Sequence, residues 1–513
     1  MQRVDYYQIG GFKAHLRENS SDALADRLLA SSRDGGEFVL GMRPNGASNL
    51  LLPVRVFQSR RLGRPYQQPW SALDFVSLSP IQFANKRELV AKLKMMESNK
   101  KKSDGRPRDR SKANTEYTAG GEGPTEEGSA RATFEHQRVF YRLCQDTIRC
   151  PEDYALNLAR WFREVHIVSF AFNLWASDMS SLEERQKNPR VLDLGWTEFD
   201  APTDSEDLRA VSTTHLTLEE NRFLVNRGRT RLTLPDISQT MPRASVEKLL
   251  QDLFAPERDG ERKPPKLLLV YDEEMTRHVL RSFGVDADQL HWVQGIKDLL
   301  YCPPAERVHD HAAYGYERDD RRYNAREPRD RSYNSKWPRN RSHSPTRRRP
   351  GDEGPRSRSS PPRMVPPSVY LVDVRTMYRN LMRVPTPNDT VPSIAKALNV
   401  LDTSMTRGED DEVIYEAIDP QYWCAGRESR LIGYMWEEMA RQESIDEQRV
   451  QRQRYLREEP VEVVDETIAA VAVDNGDMDP NDMIQPVAQS TPALRTAAKP
   501  VGMYDSEEED DEW

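Results

Sequence analysis

The strongest apolar pattern in the chain covers positions 166–176, where the sequence reads His-Ile-Val-Ser-Phe-Ala-Phe-Asn-Leu-Trp-Ala. β-Branched and aromatic residues occupy both faces of this run, which is typical of a buried central strand. A helical pattern precedes the run, and Ser177-Asp178 follows it. Within the predicted strand, Ala171 and Asn173 are two positions apart, so their side chains project from the same face.

The pattern after this strand predicts a mixed succession of strands and helices. We expect strands at 191–199, near 215–218 and onward to 226, at 266–271 and at 369–374. Before the first strand, positions 134–164 predict two helices, the second starting at Pro151. Further helices are predicted at 243–254, 273–283, 375–382, 393–398 and 426–440. Antiparallel strands followed by strands alternating with helices describe a mixed-sheet α/β domain, in the order of a ribonuclease H-like fold.

The remaining segments predict a modular chain. Residues 1–99 combine strand-like pieces at 36–42 and 51–57 with helical pieces at 22–29 and 86–96, which predicts a small α+β module. Positions 100–133 carry almost no apolar residues, so we predict a disordered linker. The α/β domain then covers 134–303 and 368–440. It is followed over 441–513 by an acidic tail and a charged helix that begins at 437.

An insertion at 304–367 separates the two parts of the predicted domain. It contains sixteen Lys or Arg and nine Asp or Glu, a net charge of 16 − 9 = +7, and its Arg-Ser pairs resemble those of RNA-processing proteins. We predict that it is disordered. Arginine neutralises phosphates and aromatic rings stack on unpaired bases, so the segment predicts a nucleic-acid-binding arm. The candidate binding residues are Arg321, Arg322, Tyr323, Arg329, Arg331, Tyr333, Trp337, Arg339, Arg341, Arg347, Arg348 and Arg349.

Composition limits the other function classes. Of 513 residues, 37% are apolar and 31% are charged, and the net charge is −9. No apolar run approaches 18 residues and positions 1–12 lack a signal-peptide core, which argues against membrane insertion and secretion. We therefore expect a nuclear or cytoplasmic protein. The four cysteines are too scattered for a disulfide framework or a paired-cysteine zinc site.

Two further signals for catalysis or metal binding are weak. The chain contains neither of the common glycine-rich phosphate-binding motifs. The close histidine pair, His309 and His311 beside Asp310, lies in the predicted disordered insertion and has no further ligands at suitable spacing. The sequence therefore predicts no resident metal from its histidines.

Several phrases in fixed order resemble the fungal Gfd-type ribonuclease H-like domain, which is related to DEDDh 3′–5′ exonucleases. They are Ser-Phe-Ala-Phe-Asn-Leu-Trp from 169, Val-Leu-Asp-Leu-Gly-Trp-Thr-Glu from 191, His-Leu-Thr-Leu-Glu-Glu-Asn from 215 with Asn226, Leu-Leu-Val-Tyr-Asp from 268, Leu-Val-Asp-Val from 371, and Trp-Cys-Ala-Gly-Arg-Glu-Ser from 423. The resemblance covers 166–440 apart from the insertion.

The resemblance implies chemistry that this chain has lost. Four carboxylates in that family hold two divalent metal ions, and a histidine acts as general base. The corresponding positions here are Ala171, Asn173, Thr276, Trp423 and Glu428, of which only Glu428 is acidic. Hard divalent ions need several anionic oxygens, and an indole cannot accept the proton. We therefore expect no catalytic residues, no bound metal and no cofactor.

An alternative active site remains open. Asp193, Glu198, Asp272, Asp373 and Glu428 lie at or near predicted strand ends, and a shifted register would assemble them around magnesium or manganese. Against this, Asp193 and Glu198 are five positions apart and point to opposite faces of an ideal strand. Asp373 also has a structural interpretation, because an Asp there can cap the next helix or bind a neighbouring strand end.

The sequence thus leaves three functions. The favoured one is a noncatalytic protein associated with RNA or another single-stranded nucleic acid, with a degenerate exonuclease-like core and a basic arm. The alternatives are a metal-dependent 3′–5′ exonuclease with rearranged carboxylates and a scaffold for protein partners. We expect no membrane partner.

Overall fold

A computed structural model of the chain describes most of its first 458 residues. The described residues are 4–11, 14–16, 18, 20–30, 36–97, 109–158, 162–203, 206–234, 237–255, 264–289, 292–301, 368–383, 389–400 and 422–458. The predicted arm at 304–367 and the acidic tail after 458 lie outside them.

The N-terminal part contains an antiparallel five-stranded sheet with strand order β4-β1-β3-β2-β5. Its strands are β1 (Asp5–Gln8), β2 (Gly36–Met42), β3 (Ser48–Pro53), β4 (Trp70–Ser71) and β5 (Ser77–Phe83). The helices of this part are α1 (Ser21–Ala30), α2 (Val54–Ser59), α3 (Lys86–Met96), α4 (Thr115–Thr118) and α5 (Glu126–Cys144). The predicted helix at 86–96 and strand at 36–42 are confirmed. The strand predicted at 51–57 is wrong in its second half, because helix α2 begins at Val54.

The second sheet has seven strands in the order β10-β8-β7-β6-β11-β13-β12. They are β6 (His166–Leu174), β7 (Val191–Asp200), β8 (Arg209–Leu218), β10 (Ser238–Met241), β11 (Lys266–Val270), β12 (Trp292–Gln294) and β13 (Val369–Asp373), and a separate short pair joins β9 (Thr230–Arg231) to β14 (Tyr422–Trp423). Strands β6, β7 and β8 follow one another in the chain and each pairs antiparallel with the next, whereas β11 and β13 run parallel to β6. The predicted mixed-sheet α/β class and the central position of the strand at 166 are confirmed.

Helices flank this sheet on both faces. They are α6 (Leu182–Lys187), α7 (Arg243–Phe254), α8 (Glu273–Ser282), α9 (Lys297–Tyr301), α10 (Val374–Met382), α11 (Val391–Ala397), α12 (Ala425–Arg441) and α13 (Ile445–Glu458). The predicted second helix from Pro151 is wrong, since the described residues of this segment form short 3₁₀ turns at Pro151–Tyr154 and Phe162–Glu164. One continuous helix from 437 to 458 is also wrong, because α12 ends at Arg441 and α13 starts at Ile445.

The predicted linker at 100–133 is wrong over its described part, which contains α4 and the start of α5. Thr125 caps the N-terminus of helix α5, because its hydroxyl accepts a hydrogen bond from the Gly128 amide at 3.0 Å. Its buried surface includes Arg131 and the ion pair between Arg138 and Glu135 at 2.5 Å. The linker prediction failed because these buried positions are charged, and a hydropathy pattern assigns charged positions to the surface.

Three apolar cores hold these layers together. The largest contains residues from both sheets and from helices α5 and α12, among them Leu51, Phe140, Ile167 and Trp436. The second lies under the opposite face of the larger sheet, against α7 and α8, and the third lies between the N-terminal sheet and helices α1 and α3. The described residues up to Tyr455 accordingly form one compact unit. Of the second unit, 456–513, the described residues are the last three of α13.

Helix α12 approaches the larger sheet backbone to backbone. A Cβ at Gly195 on β7 would lie 2.6 Å from the Gly426 Cα atom, and a Cβ at Gly426 would lie 2.6 Å from the His215 Cβ atom. Farther along the helix, a Cβ at Gly433 would lie 2.2 Å from the Phe199 ring. No side chain fits in these places, so glycine sets the depth at which α12 lies on the sheet.

We expect Gly195→Ala to destabilise the fold by about 2–3 kcal/mol, because the new methyl group meets helix backbone that cannot move aside alone. Urea unfolding followed by circular dichroism measures the change. Gly123→Ala is the matched control, since no atom lies within 4 Å of a Cβ built there. Equal unfolding midpoints for the two variants would show that the close approach is not a constraint.

Candidate functional site

The candidate site lies at one end of the inner strands of the larger sheet. Three elements meet there: the end of β6, the start of β7 and the first turn of α12. Asn173 on β6 is paired in register with Asp193 on β7, and Ala171 is paired with Gly195. Helix α12 begins at Ala425 directly beside them. Three of the positions singled out in the sequence, Ala171, Asn173 and Glu428, are therefore brought into one region.

Asn173 and Glu428 form a direct contact across this region. The Asn173 Nδ2 atom donates a hydrogen bond to Glu428 Oε2 at 2.8 Å. Both side chains are half-buried. An amide that donates to a carboxylate occupies an oxygen that could otherwise bind a cation, so this pair is satisfied internally.

Asp193 is fully buried and binds the helix that covers it. Its Oδ2 atom accepts hydrogen bonds from the Ala425 backbone amide at 3.1 Å and from His215 Nε2 at 2.7 Å. Because the first amides of a helix lack partners within the helix, Asp193 caps α12 from the neighbouring sheet. The carboxylate also holds the buried imidazole beside it.

His215 lies in a chain of buried polar groups. Its Nδ1 atom is 2.7 Å from Ser238 Oγ, which accepts a hydrogen bond from the Leu234 amide at 2.8 Å. Burial alone would lower the pKa of His215, but the hydrogen bonds to Asp193 and Cys424 and the negative charge of the Asp193 carboxylate raise it to about 10. His215 is thus an imidazolium that neutralises Asp193 at physiological pH.

The pKa of Glu428 is also raised, but for a carboxyl group this favours the uncharged form. Burial and the negative charge of Asp193 raise the pKa of Glu428 to about 7. The Asn173 hydrogen bond and the positive charges of Arg229 and Arg427 act in the other direction and only partly offset this rise. The single acidic residue left at the predicted metal positions is therefore partly protonated near neutral pH.

The two other predicted positions have structural contacts. The Thr276 hydroxyl donates to the Asp272 carbonyl at 2.6 Å within the first turn of α8. The Trp423 indole is buried, and the Arg231 guanidinium lies 4.6 Å from its ring centroid. Neither side chain is a carboxylate of the kind that holds a pair of hard metal ions, and an indole cannot act as a general base.

The five acids of the alternative active site divide among separate roles. Asp272 accepts from the Met275 amide at 2.9 Å and caps α8. Asp373 accepts from the Thr376 amide at 2.6 Å and from the Glu273 amide at 3.0 Å, which confirms the predicted cap and strand-end contact. Glu198 is exposed, whereas Asp193 is buried. The rearranged cluster, taken as one group of five, is therefore not assembled.

The residues present do not fit a pair of divalent ions. Among the described residues, no group of three or more His, Cys, Asp or Glu side chains is placed to hold a metal ion. The buried Asp193 Oδ1 atom has no hydrogen-bond partner there, yet with Glu428 it supplies only two carboxylates, and both are already engaged by His215 and Asn173. Magnesium and manganese keep their water unless more anionic oxygens are supplied.

Sequence reasoning missed how the polar groups of the site pair. Asp193 and His215 both lie in recognisable strands, but only the register of β7 against β8 brings them together. Sequence reasoning also missed the loop at 219–229. This loop is fixed to the end of β6 by the hydrogen bond that Asn226 Nδ2 donates to the Leu174 carbonyl at 3.0 Å. The arginines that follow position 221 are the sequence feature that could have indicated this loop. The predicted binding residues between 321 and 349 lie outside the described residues.

Comparisons with known proteins leave the resemblance a prediction. No protein-family model matches the sequence, and no curated protein matches it. Within the part of the chain that the structure describes, no helix is both long and apolar enough to cross a bilayer.

We expect Glu428→Gln to stabilise the protein at alkaline pH, because the variant removes the free-energy cost of ionising a buried carboxyl group. The folded-state pKa is raised, so the contribution of Glu428 to stability is present below its ordinary value of 4.5 and is lost as pH rises through about 7. The variant should therefore match the wild type near pH 4.5 and exceed its free energy of unfolding at pH 8. Urea titrations at both pH values test this, with exposed Glu198→Gln as the control. A variant that is less stable at pH 8 would contradict the assignment.

We expect His215→Gln to reduce the dependence of the free energy of unfolding on pH between pH 6.5 and 10.5. Because the pKa of His215 is raised to about 10, its contribution is complete below pH 6.5 and disappears as pH rises through 10. The variant should be less stable than the wild type at pH 6.5, and the difference should shrink by pH 10.5. Equilibrium unfolding at a series of pH values measures this. A difference that is constant with pH would mean that His215 is neutral in the folded protein.

Proposed function

We propose that this chain is a noncatalytic nucleic-acid-associated protein, with RNA as the expected ligand. Its core is a ribonuclease H-like domain of the exonuclease type whose metal cleft has degenerated. The basic arm at 304–367 is expected to supply part of the binding. We keep the nucleus or cytoplasm as the expected location and leave protein partners open.

The strand order supports the fold assignment. Three consecutive antiparallel strands, β6 to β8, are followed by β11 and β13, which run parallel to β6 and alternate with helices. Helix α12 then lies across β6 and β7. This is the succession that the sequence phrases resembling the Gfd-type family predict.

The hydrogen bond between Asn173 and Glu428 is the observation that carries the proposal. These two positions come from chain segments 255 residues apart, yet they meet at 2.8 Å. In the related exonucleases both positions would be acidic and would share metal ions. Here an amide donates a hydrogen bond to the one remaining carboxylate, which supports a site that does not require divalent cations.

Binding of nucleic acid does not itself require metal ions. A chain that binds without cleaving needs basic groups to neutralise phosphates and aromatic groups to stack on bases, and both are frequent at 304–367. No observation in the described residues favours the rearranged exonuclease, because its five acids serve separate structural contacts.

The test is incubation of the full chain with labelled single-stranded RNA and DNA in magnesium or manganese. We expect salt-sensitive binding without cleavage, and weaker binding after removal of 304–367. Counterion release makes the affinity fall steeply with salt, with a slope of about −0.7 for each neutralised phosphate of a single strand.

The exonuclease alternative makes the opposite prediction. It requires metal-dependent trimming from the 3′ end that Glu428→Ala and Asp373→Ala abolish. If the chain neither binds nor cleaves these oligomers, a scaffold for protein partners is the remaining function.

A further inference from the structure

A second basic and aromatic surface lies on the folded core, at the loop that follows strand β8. Phe223 is 79% exposed, and the Arg222 guanidinium lies 4.5 Å from the centroid of its ring. Arg227 and Arg229 are also exposed. We call residues 222–229 the rim loop.

The rim loop is held in a defined conformation. At its start, Asn221 Nδ2 donates to the Val191 carbonyl at 2.7 Å, and at its end Asn226 binds both the Leu174 carbonyl and the Ala176 amide. The Arg231 guanidinium donates to the carbonyl of Leu224 at 3.0 Å and to that of Arg222 at 3.3 Å. Phe223 is therefore presented to solvent by a fixed backbone.

The loop also lies beside the candidate site. Asn226 binds the Leu174 carbonyl at the end of β6, next to Asn173, and Asn221 binds Val191 at the start of β7. On the other side, Arg231 pairs in register with Trp423 and stacks on its ring, two residues before the start of α12. Phe223 therefore lies on a loop that is attached to the end of β6 and followed by a contact with the segment just before α12.

The charge around Phe223 favours a polyanion. Positions 219–231 contain four arginines and two glutamates, a net charge of 4 − 2 = +2. One of the acids is engaged, because Glu220 Oε1 accepts a hydrogen bond from the Arg243 amide at 2.9 Å. Isolated exposed apolar residues are common on proteins, but an exposed ring on a fixed backbone among several exposed arginines has the form of a base-stacking site.

We propose that the rim loop binds single-stranded nucleic acid, with one unpaired base stacked on Phe223 and the adjacent phosphates over Arg222, Arg227 and Arg229. This inference rests on the proposed function and assigns it a site on the folded core, separate from the arm. The cation beside the ring adds to the stacking, because arginine also packs against aromatic bases.

The experiment measures binding of the full chain to a fluorescein-labelled 15-mer of uridylate by fluorescence anisotropy. We expect Phe223→Ala to weaken binding about tenfold, since stacking on one aromatic side chain is worth roughly 1–3 kcal/mol per base. Phe223→Tyr keeps the ring and should keep the affinity. Tyr66→Ala is the matched control, because Tyr66 is an exposed aromatic residue, at 67%, on the N-terminal part.

Two further measurements separate stacking from charge. On an abasic 15-mer with the same phosphates, the loss caused by Phe223→Ala should disappear. The double variant Arg227→Gln with Arg229→Gln should reduce the salt slope on both oligomers, by about 1.4 if each arginine neutralises one phosphate. Unchanged urea midpoints would show that all variants are folded.

The failures are distinguishable. Wild-type binding with equal affinities for Phe223→Ala and Tyr66→Ala would overturn the rim-loop site and leave the proposed function standing. An equal loss on the abasic oligomer would overturn base stacking. Wild-type protein that binds neither oligomer would overturn both proposals, and the exposed ring would then suit a protein partner.

Discussion

The contact between strand β7 and helix α12 is the constraint on which the site depends. A methyl group added at Gly195 would collide with the backbone of Gly426, and one added at Gly426 would collide with His215 on the neighbouring strand β8. This approach brings the Ala425 amide onto Asp193 and the Glu428 carboxylate onto Asn173. If the helix lay farther from the sheet, both hydrogen bonds would be lost and the buried carboxylate would have fewer partners.

The site keeps its charges by pairing them internally. Asp193 is neutralised by His215, and Glu428 is held by an amide and is partly protonated near neutral pH. A metal centre solves the same problem differently, because divalent cations supply the positive charge that several close carboxylates require. Here an imidazolium and an amide are the hydrogen-bond partners of these two carboxyl groups.

Buried charge also joins the two sheets. Arg131 on α5 forms an ion pair with Asp446 on α13 at 2.5 Å, and Lys92 on α3 lies 2.6 Å from Glu447. These groups come from the N-terminal part, the connecting helix and the end of the described chain. Breaking a buried pair leaves an unpaired charge, so such a network fixes which surfaces may pack together.

Hydrophobic periodicity determined the sheet, the strand at 166 and most helices of the α/β part, because those elements bury apolar faces and the pattern records burial directly. It failed for α5, where buried arginines and a glutamate imitate a linker, and for the segment after Pro151. The sequence also identified Glu428 as the only acid at the resembling positions. Tertiary structure alone decided that Asp193 meets His215 and that Phe223 is exposed, since register and loop anchoring depend on residues distant in the chain.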